Sequence, residues 1–529
     1  MELDDLIAAL SDPAAYPDPV DAVEVHQTHI SVVFLAGPHA YKIKKPLDLG
    51  FLDYSTLEKR RFFCEREVAL NRRLAPSVYL GVLPVVRRGA KLAFGGPGDA
   101  VEWAVEMIRL SEGDTLRERV RRDEIGPPQV EDLAARVAAF HADAASGPDI
   151  SAGGRFDVVA GNARENFEQA ARHAGVTVAR PVFERVRALT EEALARLRPV
   201  IESRAARDVP RDTHGDLRLG HVYLYPGRRP PDDLAIVDCI EFSDRYRHAD
   251  PVADMAFLVM DFARAGRGDL GAAFAGAYFR ASGDAEGRAL LPFYSAYRAV
   301  VKAKVEGLKH EEGEIPAADR ALALEKARAC WLLALGELEA PGRRPGLVLV
   351  GGLPGTGKST LARALADRSG FAVIRSDVVR KELAGLAGGD SARAGYGEGI
   401  YGREWGERTY AECSRRAGAL LLEGERVVVD ASFGREEDRR RFLDLATSLG
   451  VPAVFLLCRA DPDVARERIR GRRGDASDAD WSIHLAAASH WEEVGSATRR
   501  ATREIDAGGT REAAISVALD ALREFGIED

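Results

Sequence analysis

The chain has 529 residues, 46% hydrophobic and 30% charged; that length suits about three or four domain-sized units, and that composition excludes global disorder. A net charge of −9 excludes a strongly basic nucleic-acid binder and leaves room only for a local basic patch. Five scattered cysteines (Cys64, Cys239, Cys330, Cys413, Cys458) without C-x-x-C spacing exclude a zinc module or a disulfide framework and fit a reducing cytosol, while the acidic opening MELDDLIAAL and the absence of any apolar run of ~18 residues exclude a signal peptide and a membrane span.

In chain order, Ile30–Leu35 and Ala40–Ile43 are predicted strands around the turn Ala36-Gly-Pro-His39. A helix is predicted over about 56–74, with Phe63, Leu70 and Leu74 on one face, and a strand over 101–110. From about Val130 the pattern is mostly helical to Leu338, interrupted by a loop-and-strand segment between Thr213 and Phe242. A small β-rich lobe followed by a larger helical one implies a bilobal layout with the chemistry in the cleft between them. Two Pro-Gly pairs mark 339–346 as a linker. Beyond it strands and helices alternate: strands at 347–351, 371–375, 426–430, 452–457 and 502–506, with helices at 358–368, 377–385, 405–422, 435–449, 461–470 and from about 510. That alternation predicts a parallel sheet covered by helices on both faces.

Gly352-Leu-Pro-Gly-Thr-Gly-Lys358-Ser359 fits the phosphate-loop pattern in full, after an apolar strand and at the start of a helix. Gly352, Gly355, Thr356, Gly357, Lys358, Ser359 and Thr360 form the predicted nucleotide cradle. Backbone N–H groups converge on phosphate oxygens, Lys358 reaches the β- and γ-phosphates, and the Ser359 hydroxyl ligates Mg²⁺. Val427-Val-Val-Asp430 supplies the acid expected at the end of a neighbouring strand, as a second metal-side group. Asp377, just past the second strand, is placed to accept a hydroxyl proton, and Arg380, one turn on, to hold an anionic acceptor; the alternative for Asp377 is a helix N-cap. Arg468 and Arg472 share a helix face four residues apart and could cover charge on a transferred phosphoryl group, the alternative being a solvated basic helix.

Residues 347–480 resemble the small P-loop kinases called AAA-type predicted kinases, related to gluconate kinase, zeta toxins and polynucleotide 5′-kinase, on the segments GGLPGTGKST, IRSDVVRKEL, VVVDASF and RERIRGRR. Upstream, Thr213-His214-Gly215-Asp216-Leu-Arg-Leu-Gly-His221 resembles the catalytic loop H-x-D-x-x-x-x-N of aminoglycoside phosphotransferases and other protein-kinase-like small-molecule kinases, with His221 in place of the final Asn. The resemblance implies Asp216 as the acceptor of the hydroxyl proton and Asp238, at the end of a short apolar strand, as the Mg²⁺-binding acid; imidazole at His221 is a poorer Mg²⁺ ligand than an amide oxygen. Asp250 and Asp254 match a following D-x-x-x-D segment and are expected to be structural. Ala40-Tyr-Lys42 resembles the A-x-K of the third strand, with Lys44 on the same face as runner-up. Glu67, on the apolar helix face, points inward and needs a cation, which a lysine of the facing strand would supply; without that pair, Lys42–Lys45 would be a solvated basic edge strand. Trp103–Met107 fits the hinge between lobes, where the backbone at Met107 would hold adenine. No G-x-G-x-x-G is present.

The whole chain is similar to the bifunctional aminoglycoside-phosphotransferase-like/ATP-binding proteins of bacteria. This implies an α+β bilobal protein-kinase-like domain at 1–338 (small lobe about 1–110, large helical lobe about 111–338), a linker at 339–346, and an α/β P-loop NTPase kinase domain with a parallel sheet at 347–529. The implied activity is a cytoplasmic ATP-dependent phosphotransferase with two nucleotide-binding modules, using ATP and Mg²⁺ to phosphorylate a hydroxyl of a small molecule. The rival expectations are a polynucleotide or nucleoside 5′-hydroxyl kinase in the C-terminal module, and an N-terminal pseudokinase regulating a C-terminal kinase.

Overall fold

Tyr41 and Ile43 alternate with Lys42 and Lys44 along one strand, and that period of two separates an apolar face from a charged one. In the computed structural model, which describes residues 2–50, 52–89, 91–225, 227–387, 397–471, 477 and 479–529, this strand is β3 (His39–Lys44). It belongs to a six-stranded antiparallel sheet with β1 (Val23–Gln27), β2 (Ser31–Ala36), β4 (Tyr79–Arg88), β5 (Lys91–Phe94) and β6 (Ala100–Ile108), in the spatial order β1-β2-β3-β6-β4-β5. Lys42 lies opposite Val33 of β2 and Val105 of β6, so the lysine strand is internal and the solvated-edge alternative fails. On one face, Tyr41 and Ile43 pack with Val32, Phe34, Phe94, Leu6, Leu10 and Tyr16. The other face is covered by the helix Leu57–Asn71, which Thr56 caps by accepting the Lys59 N–H at 3.3 Å.

That helix departs from its expected apolar face. Phe63, Leu70 and Leu74 are only half-buried, while the buried positions are Arg60, Cys64, Glu67, Val68 and Asn71. Three of the five are polar, and each has a specific partner: Arg60 Nε donates to Glu102 at 2.8 Å, Asn71 accepts the Cys239 N–H at 2.9 Å, and Glu67 receives the lysines. The hinge expectation is also corrected. β6 remains paired through Ile108, whose N–H donates to Val78 O at 2.9 Å, and Arg109 N–H donates to Pro38 O at 2.8 Å. Met107 is therefore inside the sheet, between Ala40 and Tyr79, and the chain leaves the sheet after Arg109.

The helical part of this unit packs the helices Pro127–Asp143 and Gly268–Ser282 together beside the deeply buried helix Pro251–Arg264. Two short antiparallel ribbons, Arg211–Asp212 with His248–Ala249 and Val222–Leu224 with Leu234–Ile236, frame the loop 213–221. By contacts the unit comprises 1–161, 197–262 and 267–294.

The second unit comprises 162–196, 263–266 and 295–529. Its strands Gly346–Gly351, Ala372–Arg375, Arg426–Asp430, Ala453–Arg459 and Thr502–Asp506 form an all-parallel sheet; numbered one to five along the chain, their spatial order is 2-3-1-4-5. Val348 and Val350 point into a core with Leu361, Leu365, Val428, Leu456, Ile505, Ile515 and Leu522, which the helices Lys358–Ser369 and Arg511–Glu524 cover. Strands buried on both faces explain the near-continuous apolar runs. The segment 339–346 is a pinned turn: Arg185 makes a two-point ion pair with Glu339 at 2.7 and 2.9 Å, and Arg344 Nε donates to Glu339 O at 3.0 Å. The helices 180–196 and 317–338 group with the parallel sheet, so the division by contacts does not follow the linker. Among the described residues, no helix is long and apolar enough to cross a membrane.

Candidate functional site

In the first unit the charged face of β3 meets the helix 57–71 and the end of the strand Leu234–Ile236. Lys42 Nζ lies 2.8 Å from Glu67 Oε1 and 3.0 Å from Asp238 Oδ1. Lys44 Nζ lies 2.8 Å from Glu67 Oε2 and also donates to Glu241, which accepts the Tyr54 hydroxyl at 2.5 Å. Both candidate lysines therefore hold Glu67, one on each oxygen, but only Lys42 bridges to Asp238. Burial works against the Lys42 charge, and Asp238 and then Glu67 overcome it, so its pKa stands well above the ordinary value. Burial likewise opposes the Glu67 carboxylate, and Lys42 and Lys44 reverse the effect and lower its pKa. Lys42 holds the Asp238 carboxylate far below its usual range.

Asp238 has φ +64°, a left-handed backbone that Asp tolerates, and its N–H donates to the Tyr79 hydroxyl at 3.1 Å. The 213–221 loop is held from below by Asp254, which accepts the His214 and Gly215 N–H groups at 3.0 and 2.9 Å and lies 3.1 Å from His141 Nε2. Asp250 pairs with Arg204 at 2.6 Å. Ligand atoms of Asp216, His221 and Asp238 lie within 4.8 Å of one another. Arg218 enters that group from the same loop, at 2.8 Å from Asp216 Oδ2 and 2.7 Å from His221 Nε2.

His214 is buried, with its Nε2 3.0 Å from the Val237 carbonyl and its Nδ1 3.3 Å from the Asp216 N–H. Those partners fix a neutral tautomer, and burial lowers its pKa to about 4. The unfolded chain, titrating near the ordinary 6.5, binds an extra proton between those values. Stability is therefore expected to fall as pH drops through that window, by up to about 1.4 kcal/mol per pH unit. Denaturant midpoints of wild type and His214→Gln should converge as pH falls from 7 to 4; a gap independent of pH would refute this.

In the second unit the loop 352–357 turns tightly from strand to helix. Gly352 (φ +144°) and Gly355 (φ +86°) approach backbone so closely that a Cβ would lie 2.5 Å from Cys458 O and 2.7 Å from Ala465 O. Thr356 Oγ1 donates to Leu353 O at 2.8 Å, while Thr360 is exposed and its N–H donates to Gly357 O at 3.1 Å. Lys358 and Ser359 open the helix. Strand register brings Asp430 level with Val350 and Arg375. Arg375 Nε donates to Asp430 Oδ2 at 3.3 Å, whereas the buried Oδ1 has no hydrogen-bond partner. Burial raises the Asp430 pKa, with Lys358 and Ser359 pulling it back.

Asp377 is the second residue of the helix Ser376–Leu383, whose N-cap is Arg375, so the cap alternative fails. It is half-buried and near enough to Asp430 to disfavour that carboxylate. Arg380, one turn on, lies over the Tyr401 ring at 4.9 Å, with its Nε buried and unpartnered. Arg468 is turned to backbone: its Nη1 donates to Ala507 O at 2.7 Å and reaches Thr356 O at 3.5 Å, so it braces the phosphate loop. Arg472 lies outside the described residues.

Several neighbours carried no motif. His484 Nδ1 is 2.7 Å from Pro354 O, inside the phosphate loop, and its ring stacks on Trp481 at 4.4 Å. Phe433 has φ +53°, an outlier for a bulky residue, held by Tyr410, which accepts its N–H at 3.0 Å, and by Arg439, which donates to its carbonyl at 2.8 Å. Glu241 had one usable signal, a carboxylate in the apolar run Cys-Ile-Glu-Phe.

Residues 347–493 match a family model described as an AAA domain. An uncharacterized protein of Mycobacterium tuberculosis strain H37Rv is 34% identical over 503 residues, spanning 95% of each chain. Among solved structures, the GDP complex of aminoglycoside 2′-phosphotransferase-IIIa shares 16% identity, over 61% of this chain and 97% of that one, with a TM-score of 0.39. A gluconokinase from Sinorhizobium meliloti 1021 shares 21% identity, over 35% of this chain and 95% of that one, with a TM-score of 0.26. The near full-length relationship makes this chain a member of the family of that mycobacterial protein, with the matched AAA domain lying in the second unit.

Proposed function

We propose that the protein is an ATP-dependent phosphotransferase with two separate nucleotide sites, acting on a hydroxyl of a small molecule. The observation that carries this reading is Lys42 bridging Glu67 and Asp238 beside Asp216, together with a second, unrelated phosphate-binding set at Gly352–Ser359 and Asp430. In the N-terminal site Lys42 orients phosphate and Asp216 takes the acceptor proton. In the C-terminal site Gly352, Gly355, Thr356, Gly357 and Thr360 shape the cradle and Lys358 meets the β- and γ-phosphates. Asp377 takes the acceptor proton there and Arg380 holds an anionic group. The modules divide along the chain at 339–346, and five buried free cysteines support a cytoplasmic setting.

The residues fit Mg²⁺ at two points. The unpartnered buried Asp430 Oδ1, with the neighbouring Ser359, would hold it in the C-terminal site, and the half-exposed Asp238 carboxylate in the N-terminal one. The ion would offset charge on the phosphates. The engagement of His221 by Arg218 favours a second reading, an N-terminal pseudokinase that senses nucleotide and regulates its neighbour.

Calorimetric titration with a non-hydrolysable ATP analogue and Mg²⁺ should give a stoichiometry of about two, falling to about one in Lys358→Ala and in Asp238→Ala. A wild-type value of one, lost entirely in Lys358→Ala, would mean that the N-terminal half binds no nucleotide. Phosphoryl transfer to a panel of sugars, aminoglycosides, nucleosides and oligonucleotides identifies the acceptor.

A further inference from the structure

The Asp216–His221–Asp238 group has the composition of a cation site, yet its charges are already matched. Asp238 is paired with Lys42 at 3.0 Å and Asp216 with Arg218 at 2.8 Å. His221 Nδ1 lies 2.9 Å from the Asp216 carbonyl, which can only accept, so Nδ1 carries the proton. The lone pair is then on Nε2, and that is the atom the Arg218 guanidinium meets at 2.7 Å. A metal ion on His221 would need the same lone pair. It would also stand against a guanidinium fixed by two partners, and displacing that guanidinium would leave a part-buried cation unpaired. Asp238 Oδ1 holds the Lys42 contact, while Oδ2 has His221 Nε2 as its neighbour in the group, at 3.5 Å.

We propose that the N-terminal site takes a single divalent ion, on Asp238, and that Arg218, locked between Asp216 and His221, occupies the place of a second. This rests on the reading of the N-terminal half as a nucleotide site. In it, His221 is a positioning residue for Arg218 and not a metal ligand, and Arg218 supplies fixed positive charge beside Asp216. The His in place of the expected Asn and the arginine three residues before it are then one device: imidazole has a single lone pair, and here that lone pair is engaged by the guanidinium and is not available to a metal.

Mn²⁺ serves as the probe, because it is paramagnetic and substitutes for Mg²⁺ in oxygen sites. Lys358→Ala protein, with histidine labelled with ¹⁵N, is saturated with the β,γ-imido analogue of ATP and titrated with Mn²⁺. The expected result is one tightly bound Mn²⁺ per nucleotide by electron paramagnetic resonance, with no coupling to a ligated imidazole nitrogen. The double variant Arg218→Met/His221→Asn, in the same background, should bind two. Two Mn²⁺ per nucleotide without that change, or imidazole coupling, overturns the proposal while leaving the nucleotide site standing. Failure of Lys358→Ala to retain any nucleotide overturns the underlying reading, and the proposal with it.

Discussion

Asp377→Asn is expected to cut turnover at the C-terminal site by ~10²–10⁴, the range for loss of a positioned proton acceptor, with little change in ATP affinity. Asn keeps the size of the side chain and its place in the first helical turn but cannot take a proton. Asp377 sits outside the phosphate loop, one helical turn before Arg380, and close enough to Asp430 to disfavour that group's charged form. A purely structural role has a different signature. Arg375 holds the N-cap, so Asp377 could contribute only through the helix dipole, about 0.3–1 kcal/mol at a first-turn position. Turnover on the acceptor found in the panel, measured beside the melting temperature, separates the two. Intact turnover with a lowered melting temperature would remove Asp377 from the chemistry.

Glu67→Ala should destabilise the N-terminal unit by about 3–5 kcal/mol, because it strips a shared partner from two lysines. Lys44 is 1% exposed and would keep only Glu241 and Tyr54; Lys42 would keep Asp238 alone. Glu67→Gln retains the shape and one acceptor oxygen and should cost less. Chemical denaturation of both variants is the check, and a Glu67→Ala loss below about 0.5 kcal/mol would show that the cluster adds nothing to stability.

The parallel sheet was legible almost residue by residue. Runs such as Val427-Val-Val and Leu347-Val-Leu-Val are buried on both faces, and the glycines and charged helix starts between them leave little ambiguity. The inward Glu67 and its lysines were legible too, since a carboxylate opposite a lysine pair has few other destinations. The helix face around Glu67 is not legible from periodicity, which counts apolar residues, whereas this face buries Arg60 and Asn71 on partners far away in sequence. The position of Met107 inside the sheet is not legible either, because a strand's last paired residue depends on backbone bonds from neighbouring strands, which composition does not encode. Arg468 and His484 both end on backbone carbonyls of the phosphate loop or beside it, and no side-chain pattern announces a carbonyl as a partner.

The grouping of the helices 180–196 and 317–338 with the parallel sheet bears on how the protein can be divided. Gly424 lies against Val182 and Leu335, Gly450 against Ala329 and Leu333, and the helix Ala317–Leu338 packs on Glu436–Leu449. A fragment cut at the Pro-Gly turn would carry the phosphate loop intact yet lose this cover, presenting bare apolar helix surface to solvent and to its own copies. The stretch that the AAA model matches, 347–493, is therefore shorter than the unit that covers its apolar surface, and a fragment meant to keep that cover would have to bring helices from the upstream half with it.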